Sequence, residues 1–183
     1  MKTRTAFTLI ELLVVLSILI ALSGIVLPLC SESVNSANET VTRSTLADAR
    51  LAMLQYWHDS KFIELNGVTT VATESQRFNI TWLFANPVTN TSAVQFDPKL
   101  RTGWNGPYIA TSTAVTTAGG PNLVDAWNQT LSVQYVNPSD TLKDVRIVSA
   151  GRNGVVDIPA ATATSTLTTS SIGDDLYVAL MLR

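Results

Sequence analysis

The chain has a single cysteine, Cys30, and a single histidine, His58, among its 183 residues. One thiol excludes an intramolecular disulfide, so the folded part must hold together by packing or by a bound ion. Neither H-E-x-x-H nor C-x-x-C occurs. No serine or cysteine stands beside His58, only Asp59. The histidine therefore reads as a solvated residue near a helix end, ahead of a catalytic dyad, and nothing in the sequence points to an enzyme. Charge is scarce too, 14% of residues, with 12 basic against 14 acidic side chains. The basic residues do not cluster, which argues against a nucleic-acid-binding surface. Glycine and proline are missing altogether from residues 31–60, so nothing there interrupts a helix.

What the chain does have is a long apolar run near its start. Residues 12–29 carry no charge and only two hydroxyls, Ser17 and Ser23. At ~1.5 Å per residue such a helix is long enough for the ~30 Å hydrocarbon core of a bilayer. Glu11 breaks the pattern, because a carboxylate inside an apolar run is costly and normally has a partner and a purpose. Lys2 and Arg4 precede the run while Glu32 and Glu39 follow it. By the positive-inside tendency the start stays cytoplasmic and the rest lies outside, periplasmic or extracellular.

The block Ala6-Phe7-Thr8-Leu9-Ile10-Glu11-Leu12-Leu13-Val14-Val15 resembles the N-terminus of type IV pilins and type II secretion pseudopilins. Both begin with a short basic leader, a small residue before Phe, Thr-Leu-Ile-Glu and an uninterrupted apolar helix. The resemblance implies that a prepilin peptidase cuts between Ala6 and Phe7 and that the new terminus, Phe7, is N-methylated. Ala6 stands where the family more often has Gly. Losing Lys2 and Arg4 would leave 10 basic against 14 acidic residues, moving the formal charge from −2 to −4. Pro28 lies where many of these proteins carry a helix-loosening proline. The resemblance also gives Glu11 and Phe7 their role: the amine of an incoming subunit pairs with Glu11 of a subunit already in the filament, which sets register. Three other readings account for part of this stretch. A secretory signal peptide has an h-region of 7–15 residues and an A-x-A-like site, whereas this run is longer. A lipoprotein cut at Cys30 lacks a small residue before it, and a plain single-pass anchor leaves Glu11 without a reason.

The remainder divides into segments. Residues 1–6 form the leader, 7–29 the transmembrane or filament-core helix, and 30–60 its amphipathic continuation. In the continuation Val34, Ala37, Val41, Leu46, Ala49, Met53, Leu54 and Trp57 recur at three- and four-residue steps. One helix is expected from about Phe7 to residue 60, loosened near Gly24 and Pro28, with Asn66-Gly67 as a stop. Residues 61–103 form a variable connection in which Arg77-Phe78-Asn79-Ile80-Thr81-Trp82-Leu83-Phe84 is apolar enough to dock, as a short helix or strand. Residues 104–183 read as a β-sheet head. Strands are expected at Tyr108-Ile109-Ala110-Thr111, at 130–136, at 144–149 and at 176–182, with an exposed Thr/Ala/Ser loop over 160–171. The fold class is α+β, a long N-terminal helix packed on a small antiparallel sheet.

Four head segments sharpen the resemblance. Gly103-Trp104-Asn105-Gly106-Pro107-Tyr108 is similar to the G-W-x-G-P-Y of type II secretion pseudopilins, and Asp125-Ala126-Trp127-Asn128 to their D-x-W-G-N-P. Val148-Ser149-Ala150-Gly151-Arg152-Asn153-Gly154 is similar to their S-A-G-P-D-G turn, and Asp174-Asp175-Leu176 to their closing segment. Each alone is also an ordinary turn, anchored by an aromatic in the first two. The Cys pair that closes the C-terminal loop of many true pilins is missing. Together these features favour a secretion pseudopilus subunit over a type IV pilin. The implied partners are further copies in a filament, other pseudopilins, the prepilin peptidase, an inner-membrane assembly platform, and lipid before assembly. The resemblance also implies calcium in the loop between the last strands, with Ser149, Asn153, Asp157, Asp174 and Asp175 as oxygen donors. Calcium takes 6–8 oxygens. Arg152-Asn153 replaces the family's Pro-Asp, and a solvated acidic loop is the alternative. A pilin for adhesion, motility or DNA uptake and a non-polymeric anchored binding domain remain the other function classes.

Overall fold

The computed structural model describes residues 8–60, 79–86, 96–99, 101, 103–110, 113–117, 120–136 and 144–180, apart from the side chains of 26–29 and 60. Helix α1 covers Leu9–Ser60, 52 residues, and Gly24 and Pro28 lie within it. Contacts divide the chain into residues 1–37 and 38–183, and each unit is taken by itself.

In the first unit every large apolar side chain described between residues 9 and 25 is exposed. The two hydroxyls in that stretch are satisfied within the helix. Ser17 Oγ donates to the Val14 carbonyl and Ser23 Oγ to the Leu19 carbonyl, both at 2.8 Å. Both hydroxyls are thus met inside the helix, as hydrocarbon requires of a polar side chain.

In the second unit the helix turns one face to a core. Thr42, Leu46, Ala49, Ala52, Met53 and Tyr56 are buried, three or four residues apart as an inward stripe demands. The stripe expected from the sequence is displaced at its edges: Val41 stays exposed while Thr42 and Tyr56 take buried places. Thr42 can do so because its Oγ1 accepts the Ala126 N–H at 3.1 Å. Glu39 and Arg43, four apart on the solvent side, pair at 2.7 Å.

Facing the helix is a three-stranded antiparallel sheet of β3 (Ser132–Tyr135), β4 (Val145–Ser149) and β5 (Leu176–Leu180), with β4 in the centre. Gln134 pairs with Arg146 and Ala179 with Arg146; Val133 and Val178 flank Ile147. Side chains alternate. Val145, Ile147, Leu176 and Leu180 join Leu46, Met53 and Tyr56 in one apolar cluster, each large side chain there contributing ~1.5–3 kcal/mol by its burial. A separate hairpin, β1 (Val115–Thr117) and β2 (Gly120–Asn122), pairs Thr117 with Gly120.

Two expectations are corrected here. The described part of Tyr108-Ile109-Ala110-Thr111 is not a strand. Its backbone donates from Tyr108 and Ile109 to the single carbonyl of Leu83, at the end of the 3-10 turn Ile80–Leu83. The Tyr108 ring meets Tyr56 at 5.7 Å and Trp104 at 6.0 Å, both edge-on. Among the described residues no strand pairs with it, and the contacts of the Tyr108 ring hold the segment in place. The Thr/Ala/Ser tract is not a free loop either. It forms a 3-10 turn (Thr164–Thr166) and the short α2 (Thr169–Ile172), closed by a Thr168/Ser171 capping box. This lobe is tied to the second face of the sheet by Arg146, whose side chain is fully buried. Arg146 donates from Nε to Gln134 Oε1 at 2.8 Å, from Nη1 to the Thr162 carbonyl at 2.9 Å and Thr164 Oγ1 at 3.2 Å, and from Nη2 to the Pro159 carbonyl at 2.8 Å. All five residues of β4 are consequently buried. Asn66-Gly67 and residues 181–182 lie outside the described residues.

Candidate functional site

Two places carry chemistry: the start of α1, and the loop pair between β4 and β5. At the helix start Thr8 precedes the first turn and Glu11 stands three residues on. Glu11 Oε2 accepts from Thr8 N at 2.9 Å and from Thr8 Oγ1 at 2.8 Å, while Glu11 N donates back to Thr8 Oγ1 at 3.3 Å. This is a capping box, and its T-x-x-E spacing is legible in the sequence. Thr8 is thus a hydrogen-bonding partner of Glu11, and the spacing of the two residues is the signal that could have found it. Ile10, Val14 and Val15 line a shallow groove with Glu11, so the carboxylate sits at the edge of an apolar surface. Ala6 and Phe7, the expected processing residues, lie outside the described residues.

The loop pair is built by glycines and by Asn153. Gly151 and Gly173 have φ of 61° and 60°. A Cβ on Gly151 would collide with the Asp174 carbonyl, and one on Gly173 with Asp157 Oδ2, so the two loops approach as closely as they do only with glycine at both places. Asn153 N donates to Asp174 Oδ2 at 2.8 Å, and Asn153 Nδ2 to Asp157 Oδ2 at 3.0 Å. Asp175 Oδ2 accepts from Asp157 N at 2.7 Å and Ile158 N at 2.8 Å. Its Oδ1 is buried and has no hydrogen-bond partner among the described residues. Burial pushes the Asp175 carboxyl above its ordinary value; the two backbone N–H groups oppose this, and the charges of Asp157 and Asp174 add to it.

Four of the five sequence-predicted donors, Asn153, Asp157, Asp174 and Asp175, are therefore brought together across a gap of more than fifteen residues of sequence. Ser149 is not with them. Its Oγ donates to Asp125 Oδ2 at 2.6 Å in the interior, where Asp125 also takes the N–H groups of Trp127 and Gln129 on Oδ1. As arranged, no group of three acidic or histidine side chains among the described residues forms a metal cage. The donors of Asn153 hold two of the carboxylates a cation would claim. Calcium would fit the three carboxylates only with the Asn153 amide turned aside.

His58 is 78% exposed, its Nδ1 3.3 Å from Asp59 Oδ1. Asp59 Oδ2 accepts from the Tyr108 hydroxyl at 3.2 Å, which in turn accepts Asn105 N at 2.9 Å. The chain of contacts orients Tyr108. Cys30 is an exposed free thiol. Among the described residues one helix is long and apolar enough to cross a membrane. No family, no curated protein and no solved structure matches the chain.

Proposed function

We propose that the chain is a structural subunit of a helical filament assembled from a membrane, most like the pseudopilus of type II protein secretion, and that its role is architectural and not catalytic. The observation that carries the reading is a helix whose large apolar side chains are exposed on every side from residue 9 to 25, with two hydroxyls bonded back to the helix and one carboxylate held at its first turn. A soluble domain has no use for such a surface. A bilayer satisfies it before assembly, and neighbouring helices satisfy it afterwards.

In this reading the basic leader stays cytoplasmic, the head lies on the periplasmic side of the inner membrane, and a prepilin peptidase cuts between Ala6 and Phe7 and methylates Phe7. Cleavage creates an α-amine, which stays cationic at neutral pH because its ordinary pKa is roughly 7.7–8.0. The amine of an incoming subunit then meets Glu11 of a subunit already placed, with the assembly platform and other pseudopilins supplying the surroundings. Apolar packing of residues 12–29 gives non-specific adhesion, and the ion pair gives register.

Expression in a host carrying a secretion or pilus system, followed by electron microscopy, tests this. Wild-type chain should form filaments. Glu11→Ala should stay cleaved and membrane-inserted but assemble poorly, with Glu11→Asp between the two. Long surface pili conferring adhesion, motility or DNA uptake would move the assignment to a type IV pilin. A chain that forms no polymer would be an anchored binding domain, and full assembly by Glu11→Ala would remove the register mechanism.

Calcium at Asp157, Asp174 and Asp175 is a second reading for the loop pair, favoured by one observation, the buried Asp175 Oδ1 that has no hydrogen-bond partner among the described residues. A bound calcium ion would offset two of the three carboxylate charges and bridge the two loops.

A further inference from the structure

Asn-x-Ser/Thr, with any residue but proline in the middle, is the acceptor pattern for transfer of a sugar to an asparagine amide. The chain has it four times, at Asn38, Asn79, Asn90 and Asn128. Asn90 lies outside the described residues. So short a pattern arises readily by chance in a chain rich in serine and threonine, and local structure decides which copy can be used. The acceptor amide has to be free of other work, and all three residues have to stand clear for a transferase to read them.

Asn38 is half-buried within α1, where the helical ladder fixes its backbone. Asn79 caps the 3-10 turn, its Oδ1 accepting Thr81 N at 3.0 Å. The two residues after it turn inward, Ile80 buried and Thr81 half-buried. Asn128 differs on each count. Asn128, Gln129 and Thr130 are all exposed, and among the described residues neither the Asn128 amide nor the Thr130 hydroxyl has a hydrogen-bond partner. The turn beneath them is fastened from inside. Buried Asp125 takes the Trp127 and Gln129 N–H groups on Oδ1 at 2.9 and 2.8 Å, and its carbonyl takes Asn128 N at 3.1 Å. Asn128 has a φ of 65°. Asparagine tolerates that left-handed backbone, yet glycine serves it with less strain. The backbone therefore accounts for a small residue at 128, and not for an amide with a threonine two places on.

We propose that Asn128 is a glycosylation site, its donor a sugar carried on a membrane polyprenyl diphosphate. Asn128 Nδ2 attacks the anomeric carbon of that sugar and gives up one proton. The new carbon–nitrogen bond replaces the bond from the anomeric carbon to the diphosphate oxygen, and polyprenyl diphosphate leaves. The inference rests on the reading that places the head outside the membrane, since such acceptors are surface loops of exported chains. The glycan puts a bulky hydrophilic cover over the 125–130 turn.

Peptide mass spectrometry of the full chain, extracted from membranes of the cells that naturally make it, tests this. The peptide holding Asn128 should carry the mass of one or more sugar units, and those holding Asn38 and Asn79 should be bare. Thr130→Val keeps the shape of the side chain without its hydroxyl and should abolish the modification, whereas Thr130→Ser should keep it. Asn128→Gly should abolish it as well while easing the left-handed backbone, so that its loss does not reflect damage to the fold. A bare Asn128 in the wild-type chain, sugar at Asn38 or Asn79 in its place, or sugar that persists in Thr130→Val each overturns the site. A parallel measurement locates the head. Cys30→Ser with Ser165→Cys is offered a maleimide that cannot cross the inner membrane, in cells whose outer envelope has been opened. A labelled head with a bare Asn128 would overturn the modification and leave the placement of the head standing. An unlabelled head with a bare Asn128 would overturn both.

Discussion

Arg146→Met removes the buried cation that ties the 157–173 lobe to the sheet. The guanidinium makes four hydrogen bonds, and every acceptor is neutral: Gln134 Oε1, the Pro159 and Thr162 carbonyls, and Thr164 Oγ1. No carboxylate touches it. Burial pulls its pKa below the ordinary value, and the nearby Asp144 charge opposes that pull. Asp144 itself accepts from Thr164 N at 2.8 Å and from Thr164 Oγ1, so cation and anion are bridged through one threonine. Bonds from a charged donor contribute about 1.5–3 kcal/mol each, and burying the ion costs several kcal/mol. The bonds win by about 3 kcal/mol, a large fraction of the 5–15 kcal/mol that typically holds a domain. Methionine keeps the volume and orphans the Pro159 and Thr162 carbonyls. The expected result is a loss of about 3 kcal/mol in chemical denaturation of the full chain in detergent, by this hydrogen-bond estimate. Hydrogen exchange should speed first at amides 158–172, while those of 46–56 keep their protection. Arg146→Lys should fall between, since an ammonium retains the charge without the planar fork. A loss below about 1 kcal/mol, less than one charged bond contributes, together with unchanged protection over 158–172, would show that the lobe holds itself.

Other outcomes follow from the same structure. Intact mass of the membrane-extracted protein should show loss of residues 1–6 and an added methyl on Phe7; retention of Met1, or lipidation at Cys30, would contradict the processing assignment. If calcium binds at Asp157, Asp174 and Asp175, the chain should gain about 2.7 kcal/mol at a hundredfold excess over Kd, and superimposable melting curves in calcium and chelator would leave the loops fastened by the hydrogen bonds of Asn153 and Asp175. Burial raises the Tyr108 hydroxyl above its ordinary 10.0, with the Asn105 N–H opposing and Asp59 adding to the rise; burial raises Tyr135 likewise. The unfolded chain therefore releases these protons first, so the contribution of the two tyrosines to stability should be constant below pH 10 and fall as pH rises beyond it. Tyr108→Phe with Tyr135→Phe should make that alkaline fall shallower, and an unchanged slope would refute the assignment.

By itself the sequence determined the features that depend on near neighbours. The apolar run, the position of Glu11 in its first turn, the helix through residue 60 and the segments of β3, β4 and β5 all follow from periodicity and from missing breakers within a window of a few turns. The T-x-x-E spacing that fastens Glu11 to Thr8 belongs to the same local class. Tertiary structure alone decided what depends on segments far apart meeting. Nothing near Ser149 shows that its hydroxyl goes to Asp125 while Asn153 goes to Asp174. Nothing near Tyr108 shows that it leaves the strand pattern to join Tyr56 and Trp104. The Thr-rich tract lacks large apolar residues, and composition alone therefore reads it as a loop. It folds because Arg146, from the centre of the sheet, satisfies its carbonyls, and a buried cation's partners are set by which backbone groups the topology brings within about 3 Å of it, the reach of a hydrogen bond.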